Sequence, residues 1–308
     1  MKLTKKPSFN GIVVPIVTPL IDNNTLDIQG LERLIEHTVS GGVHSIFILG
    51  TTGEFASLSY KLRYEVIERA CKLVRGRKPV IVGVTDSAFG ESLNLAKKAA
   101  ECGADAVVLS PPYYFATSQP ELLEYLKQIM IQMPLPVFLY NIPPHTKVAY
   151  EPGTIQAAAE IPGVIGLKDS SGDLPYLNSV CYMLRKNSDF TILVGREEMT
   201  SAFVLMGGHG GVTGGANLFP KLYVDLYNAS LDRDFERILP LQEKLMQCST
   251  TIYKAGNYGS SYLKGLKCSL SVMGICNDFV AEPFRKFEGP DREKIIKLLD
   301  ELNYKELL

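Results

Sequence analysis

Short apolar runs rich in β-branched residues recur along this chain, and an amphipathic stretch separates most of them from the next. There are eight such runs: Ile12–Val17, Ser45–Leu49, Val80–Val84, Ala106–Leu109, Val137–Tyr140, Val164–Leu167, Thr191–Val194 and Gly211–Thr213. Nearly continuous apolarity is typical of parallel strands that are buried on both faces. Apolar residues at i, i+3 and i+4 between the runs, such as Leu31, Leu34 and Ile35, predict helices. Strands and helices that alternate in this way predict a (β/α)8 TIM barrel.

A doubly wound parallel sheet is the main alternative for such an alternation. That fold usually carries a G-x-G-x-x-G nucleotide loop after its first strand. The motif is absent from this sequence, which favours the barrel.

The strand pattern stops near residue 232. Three helices are predicted beyond it, over Phe235–Cys248, Ser260–Met273 and Asp291–Leu302. No stretch of disordered composition separates them from the rest. We therefore expect residues 1–231 to form the barrel that carries the active site and residues 232–308 to form a C-terminal helical extension packed on it.

The overall composition excludes several classes of partner. The 308 residues are 46% hydrophobic and carry 32 basic and 33 acidic side chains, so no basic excess indicates nucleic-acid binding. No apolar run approaches the roughly 18 residues that a membrane helix needs. Six scattered cysteines without a C-x-x-C pair predict reduced thiols and a cytoplasmic location.

Lys168 ends the sixth apolar run and is followed at once by a polar loop. Burying an ammonium group is costly, so a lysine at the end of a buried strand tends to lose its proton. A neutral amine can form a Schiff base with a carbonyl substrate. The alternative is a lysine at the barrel rim whose amine reaches solvent.

Other polar groups follow the neighbouring strands. Thr51 and Thr52 lie in Gly50-Thr51-Thr52-Gly53-Glu54 after the second strand, where hydroxyl and backbone N–H groups could hold a small carboxylate. Tyr140 ends the fifth strand, next to Lys168 round the barrel, and a phenol there could shuttle protons during imine formation. Active sites of TIM barrels lie where strands end. The combination predicts a 2-oxo acid substrate such as pyruvate, with no cofactor.

These motifs, Gly50-Thr51-Thr52-Gly53-Glu54, Tyr140-Asn141-Ile142-Pro143 and Gly166-Leu167-Lys168-Asp169, resemble those of the dihydrodipicolinate synthase / N-acetylneuraminate lyase family. The resemblance covers the whole chain. It implies a class I pyruvate-dependent aldolase with a (β/α)8 barrel and a C-terminal helical extension. It also implies a homotetramer built as a dimer of dimers.

The resemblance implies a role for each matching residue. Lys168 would form the Schiff base and Tyr140 would move the proton, while Thr51 and Thr52 would hold the pyruvyl carboxylate, with Thr52 also counted among the catalytic residues. Tyr114 matches a catalytic tyrosine that reaches a neighbouring subunit's site. Val212 matches a position whose backbone carbonyl faces the substrate.

Departures from the family pattern bear on the second substrate. The synthase branch has an arginine for the aldehyde's carboxylate where this chain has His145, and Lys147 replaces a glycine. A histidine lacks the two-pronged guanidinium geometry. The sialate lyase branch has an Asp-Glu pair that binds sugar hydroxyls, and Glu197-Glu198 resembles it. Gly214 and Gly215, however, replace a hydroxylated Ser-Thr pair of that branch.

We therefore predict a Schiff-base aldolase or lyase that reversibly cleaves a 2-keto-3-deoxy sugar acid, or a related 2-oxo acid, to pyruvate and an aldehyde. His145, Lys147, Glu197 and Glu198 would bind the distal end of the substrate. Alternatives are 4-hydroxy-tetrahydrodipicolinate (dihydrodipicolinate) synthase, N-acetylneuraminate lyase, a 2-oxo acid dehydratase and a non-catalytic pyruvate-binding protein. No metal site is predicted, since His37, His44, His145 and His209 show no ligand spacing.

Overall fold

The structure, a computed structural model, describes residues 8–307. Residues 1–7 and residue 308 of the two predicted units therefore lie outside the described part. Eight parallel strands close into a barrel. These strands are β1 (Gly11–Pro15), β4 (Ser45–Ile48), β5 (Val80–Gly83), β6 (Ala106–Leu109), β7 (Val137–Asn141), β8 (Val164–Asp169), β9 (Thr191–Val194) and β10 (Gly210–Val212). Their order round the barrel is β1-β10-β9-β8-β7-β6-β5-β4. The predicted (β/α)8 barrel is thus confirmed.

A small antiparallel hairpin, not predicted from the sequence, follows the first barrel strand. It consists of β2 (Leu20–Asp22) and β3 (Thr25–Leu26). Asp22 accepts a hydrogen bond from the backbone N–H of Asn24 at 2.8 Å, which stabilises the turn between the two strands. The hairpin leads directly into the first helix.

Helices follow the barrel strands along the chain. They are α1 (Ile28–Ser40), α2 (Tyr60–Val74), α3 (Phe89–Glu101), α4 (Gln119–Met130), α5 (Pro143–Thr146), α6 (Pro152–Ala158), α7 (Leu174–Leu184), α8 (Thr200–Leu205) and α9 (Pro220–Asp232). Their starts follow local chemistry: Asp27 accepts from the Gly30 N–H at the start of α1, and Ser118 and Glu121 form a capping box at the start of α4.

Two apolar clusters hold the barrel together. The larger one lies between the outer faces of the strands and the helices. The smaller one fills the barrel interior, where Phe9 packs edge-to-face on Phe138 at a centroid distance of 5.2 Å. Tyr140 and Val212 belong to this inner cluster, so the residues nearest the mouth of the barrel are held by a packed interior.

Three helices follow the barrel: α10 (Phe235–Thr251), α11 (Ser261–Val272) and α12 (Gly289–Glu301). A buried ion pair between Lys267 of α11 and Glu54 of the loop after β4 joins them to the barrel. Glu54 also accepts a hydrogen bond from the Ala281 N–H at 2.8 Å. None of the helices in the described range is long and apolar enough to cross a lipid bilayer.

Candidate active site

A cavity of about 410 Å³ opens at the carboxyl ends of β4, β5, β6 and β7. Its far wall comes from the start of α11 and from Phe284, so the C-terminal helices complete the site. The residues that line it include Phe47, Leu49, Gly50, Thr51, Thr52, Phe55, Thr85, Val108, Ser110, Tyr113, Tyr140, Ile142, His145, Thr146, Ser260, Tyr262, Leu263 and Phe284.

Lys168 and Tyr140 are neighbours, as the barrel order predicts. They face each other in the parallel register of β7 and β8. The Lys168 Nζ lies 3.9 Å from the ring centroid of Tyr140 and 5.0 Å from that of Phe47, two rings that line the cavity. Lys168 is buried, and among the described residues no carboxylate forms an ion pair with it. Its amine therefore lies against two aromatic rings that line the cavity, although Lys168 itself is not among the lining residues.

The phenol of Tyr140 is tuned by its surroundings. Burial by itself raises the pKa of the phenol, but Lys168 and the hydroxyls of Ser170 and Thr51 outweigh burial and lower the pKa below its ordinary value of 10.0. The Ser170 hydroxyl lies 3.4 Å from the phenol oxygen. A phenol with a lowered pKa is better suited to exchange protons near neutral pH.

A buried polar pair fixes the ends of the two strands that carry Tyr140 and Lys168. Asn141, directly after Tyr140, donates a 2.7 Å hydrogen bond to Asp169, directly after Lys168. Burial raises the pKa of the Asp169 carboxyl. Sequence reasoning did not assign roles to Asn141, Asp169 or Ser170, although polar residues that follow apolar strand positions were a usable signal.

The threonine loop, defined as residues 49–54, adopts an unusual backbone conformation. Leu49 and Glu54 both have positive φ angles, 55° and 59°. Such angles cost a non-glycine residue roughly 1–2 kcal/mol, so other contacts must hold the loop. Thr18 provides one by donating to the Gly53 carbonyl at 2.7 Å, and the Glu54–Lys267 pair provides another.

Both threonines of this loop line the cavity, but their environments differ. Thr51 is exposed to the cavity and its hydroxyl contributes to the low pKa of Tyr140. Thr52 is buried, and its Oγ1 lies 3.4 Å from the phenol oxygen of Tyr262. The structure therefore brings Thr51, Thr52, Tyr140 and Lys168 to one region.

Other predicted residues lie around this centre. His145 lines the cavity from α5, whereas Lys147 is exposed and is not part of the cavity wall. The Val212 side chain is buried in the barrel interior. Tyr114 is 73% exposed and is not part of the cavity wall, whereas Tyr113 lines the cavity.

The acidic pair after β9 does not face the cavity as the sequence-based hypothesis required. Glu197 is buried and accepts hydrogen bonds from Tyr223 at 2.5 Å, Tyr253 at 2.7 Å and the Gly215 N–H at 2.9 Å. Burial raises the pKa of the Glu197 carboxyl, and the three hydrogen bonds lower it in part. Glu197 is thus engaged in a buried network, and Glu198 is not part of the cavity wall either.

Three histidines have structural hydrogen bonds. His44 and His209 each accept a backbone N–H through Nδ1, from Ile12 at 3.0 Å and Ile192 at 2.9 Å, and His37 contacts the Leu218 carbonyl at 2.9 Å. Burial lowers the pKa of all three imidazoles. Within residues 8–307, no cluster of three or more His, Cys, Asp or Glu side chains could hold a metal ion.

Comparisons with known proteins identify the family of this chain. The model of the dihydrodipicolinate synthetase family matches residues 8–302. The chain belongs to that family.

Relatives cover almost the full length of the chain. It is 32% identical to the 4-hydroxy-tetrahydrodipicolinate synthase of Thermodesulfovibrio yellowstonii, over 94% of this chain and 97% of the relative. A solved structure described as dihydrodipicolinate synthase from Bacteroides thetaiotaomicron is 57% identical, with a TM-score of 0.94 over 97% of this chain and 100% of that one. The E. coli K12 prophage protein YagE, solved in complex with pyruvate, is 27% identical with a TM-score of 0.90 over 96% and 99% of the two chains.

Family membership establishes the reaction class. Members of the dihydrodipicolinate synthetase family are pyruvate-dependent class I aldolases and lyases, and this chain is accordingly a carbon–carbon lyase of that type. The predicted family, fold and enzyme class are therefore confirmed.

Proposed function

We propose that Lys168 forms an imine with the ketone carbon of pyruvate. The observation that carries this proposal is the Lys168 amine at 3.9 Å from the centroid of the Tyr140 ring, at the end of a buried strand and without a carboxylate partner among the described residues. An unprotonated lysine amine is a nucleophile for a carbonyl group. Thr51 and Thr52 would hold the carboxylate of the same substrate.

The chemistry follows from this placement. The amine adds to the ketone carbon and the resulting carbinolamine loses water, which leaves the protonated imine. Loss of a proton from C3 then gives an enamine, which adds to the aldehyde carbon, and hydrolysis returns the free lysine and the product. Tyr140 would carry protons in these steps, and the lowered pKa of its phenol supports this role.

The cavity favours an aldehyde that carries hydroxyl groups rather than a second carboxylate. Among the described residues, the side chains of the cavity wall include no arginine, and His145 is the one basic side chain there besides the adjacent Lys168. Hydroxyl-bearing side chains are frequent instead, among them Ser110, Tyr113 and Ser260. Hydroxyl groups can both donate to and accept from sugar hydroxyls. We therefore propose cleavage of a 2-keto-3-deoxy sugar acid, with His145 at the distal end.

A second candidate is 4-hydroxy-tetrahydrodipicolinate synthase. The 57% identity to a structure described as dihydrodipicolinate synthase favours it. In that case His145 would have to serve as the ligand of the second carboxylate.

The proposed assembly and location have separate support. Tyr114 and Phe115 are 73% and 76% exposed and pack edge-to-face at 5.1 Å, which suits an interface through which Tyr114 reaches a partner's site in a homotetramer built as a dimer of dimers. Residues 1–231 would form the catalytic unit and residues 232–308 its extension. All six cysteines are free thiols, which supports a reducing, cytoplasmic environment.

Borohydride reduction in the presence of pyruvate tests the mechanism. One pyruvyl group should be added to the chain and should map to Lys168, and Lys168→Arg should abolish the adduct. An adduct on another residue, or none, would contradict the mechanism. The ratio of kcat/KM for cleavage of sugar acids to that for condensation with aspartate semialdehyde then separates the two substrates, and a tenfold advantage of the semialdehyde would favour the synthase.

A further inference from the structure

Tyr262 reaches the active-site cavity from the C-terminal extension. It lies near the start of α11, and its phenol oxygen is 3.4 Å from Oγ1 of Thr52. Both residues line the cavity. Among the described residues Thr52 is the one hydrogen-bond partner of this phenol, so the contact links the extension to the threonine loop.

Packing against Tyr253 holds the Tyr262 ring in place. It packs edge-to-face on Tyr253 at a centroid distance of 4.8 Å, and Tyr253 donates a 2.7 Å hydrogen bond to the buried Glu197. Tyr223 donates to the same carboxylate oxygen. The Glu197 network therefore supports the Tyr262 ring through Tyr253.

Two glycines provide the room for these tyrosines. A Cβ on Gly214 would lie 1.6 Å from the phenol oxygen of Tyr262, and one on Gly215 would lie 1.9 Å from that of Tyr223. Neither glycine has a positive φ, so the backbone does not require glycine at these positions. The space that the tyrosine hydroxyls need accounts for glycine at both positions. It also explains why this chain lacks the Ser-Thr pair that the sialate lyase branch has there.

We propose that Tyr262 is a positioning residue that orients the hydroxyl of Thr52 toward the substrate carboxylate. This inference rests on the proposed function, in which Thr52 binds that carboxylate. A threonine hydroxyl has one proton and can accept hydrogen bonds through two lone pairs. If the Tyr262 phenol donates to Oγ1, the proton of Thr52 is left to point into the cavity, where an acceptor-only carboxylate needs a donor.

Tyr262 contacts Thr52, and Thr52 in turn would contact the substrate carboxylate. Tyr262 therefore acts on pyruvate only through Thr52, which predicts a specific kinetic pattern. Losing the phenol of Tyr262 should weaken pyruvate capture, because the Thr52 hydroxyl becomes free to rotate. It should leave kcat at saturating pyruvate nearly unchanged, because Tyr262 exchanges no proton with the reacting carbons. A general loss of structure would lower both quantities together.

The experiment compares Tyr262→Phe, Thr52→Val and the double variant with the wild type. The readouts are the pyruvate concentration at half-maximal borohydride-trapped adduct on Lys168, and kcat. Tyr262→Phe should raise the half-maximal concentration about 3- to 10-fold, the range of one hydrogen bond, with kcat within about twofold. Thr52→Val should raise it more, about 10- to 100-fold, and the double variant should match Thr52→Val. Tyr227→Phe, at the opposite end of the barrel beside His44, is the matched control and should leave both readouts unchanged.

Gly214→Ala provides an independent test that keeps both hydroxyl groups. Its methyl group should displace the Tyr262 phenol and raise the half-maximal pyruvate concentration as Tyr262→Phe does. Unchanged adduct formation in Tyr262→Phe, or effects of Tyr262→Phe and Thr52→Val that multiply in the double variant, would overturn this inference alone. A wild-type protein that forms no adduct on Lys168 would overturn the proposed function and, with it, this inference.

Discussion

The buried ion pair between Glu54 and Lys267 allows a quantitative test of how the C-terminal helices support the active site. The Lys267 side chain is fully buried and that of Glu54 is 3% exposed. Lys267 also donates to the Phe279 carbonyl at 2.5 Å. Replacement of Lys267 by methionine keeps most of the side-chain volume but removes the cation.

The expected loss of unfolding free energy depends on the contacts that Glu54 keeps in Lys267→Met. In Lys267→Met the Glu54 carboxylate keeps the Ala281 N–H, at 2.8 Å, as its one hydrogen-bond donor among the described residues. Removing one partner of a buried ion pair costs about 3–5 kcal/mol of unfolding free energy, because the other charge stays buried without compensation. Since 1 kcal/mol shifts Tm by roughly 2–4 °C in domains of 150–250 residues, Tm should fall by at least about 6 °C.

The assay is urea and thermal unfolding followed by circular dichroism at a fixed protein concentration. Lys297→Met is the matched control, because Lys297 pairs with Glu301 on the same C-terminal extension at 3.8 Å with side chains 78% and 58% exposed. This control should lose less than about 0.5 kcal/mol. The double variant Glu54→Gln/Lys267→Met removes both charges and should recover most of the loss.

Two results would refute this reasoning. One is a loss below about 1 kcal/mol in Lys267→Met, which would mean that the pair adds little beyond packing. The other is a double variant whose loss of unfolding free energy equals the sum of the losses in Lys267→Met and in Glu54→Gln. That result would show that the two charges do not interact.

Three further predictions concern the site and its surroundings. Tyr140→Phe should lower kcat about 10²- to 10⁴-fold while changing pyruvate capture far less, and an unchanged kcat in steady-state assays would assign Tyr140 to packing. Burial raises the pKa of Glu197 above its unfolded value. The stability of the wild type relative to Glu197→Gln should therefore be largest below about pH 4.3 and should decline as the pH rises through the folded pKa. Urea unfolding between pH 4 and 8 measures this difference, and the opposite trend would contradict the prediction. Burial lowers the pKa of His44 and His209. The stability that their neutral rings contribute is therefore present above about pH 6.5 and is lost as the pH falls through the folded pKa. NMR titration should find both midpoints below about 6.5.

The barrel and the centre of its site could be predicted from the sequence because both depend on local pattern. A strand buried on both faces is apolar at nearly every position, and consecutive parallel strands lie side by side. The adjacency of Tyr140 and Lys168 follows from these two rules, and their register in β7 and β8 confirms it. The capping box of Ser118 and Glu121 depends on residues three apart and was predictable for the same reason.

The direction of the acidic pair could not be predicted from the sequence. Glu197 and Glu198 are chemically alike and adjacent, so local pattern does not say which one faces inward. Tyr223 and Tyr253 decide it, and they lie 26 and 56 residues further along the chain. The alternation of apolar runs therefore determined the fold and which residues stand at the strand ends, since these depend on nearest neighbours, and the motifs that resemble the family indicated the reaction class. Only the tertiary structure brought Tyr262 to Thr52 across 210 residues and Lys267 to Glu54 across 213, because such contacts depend on how the extension packs.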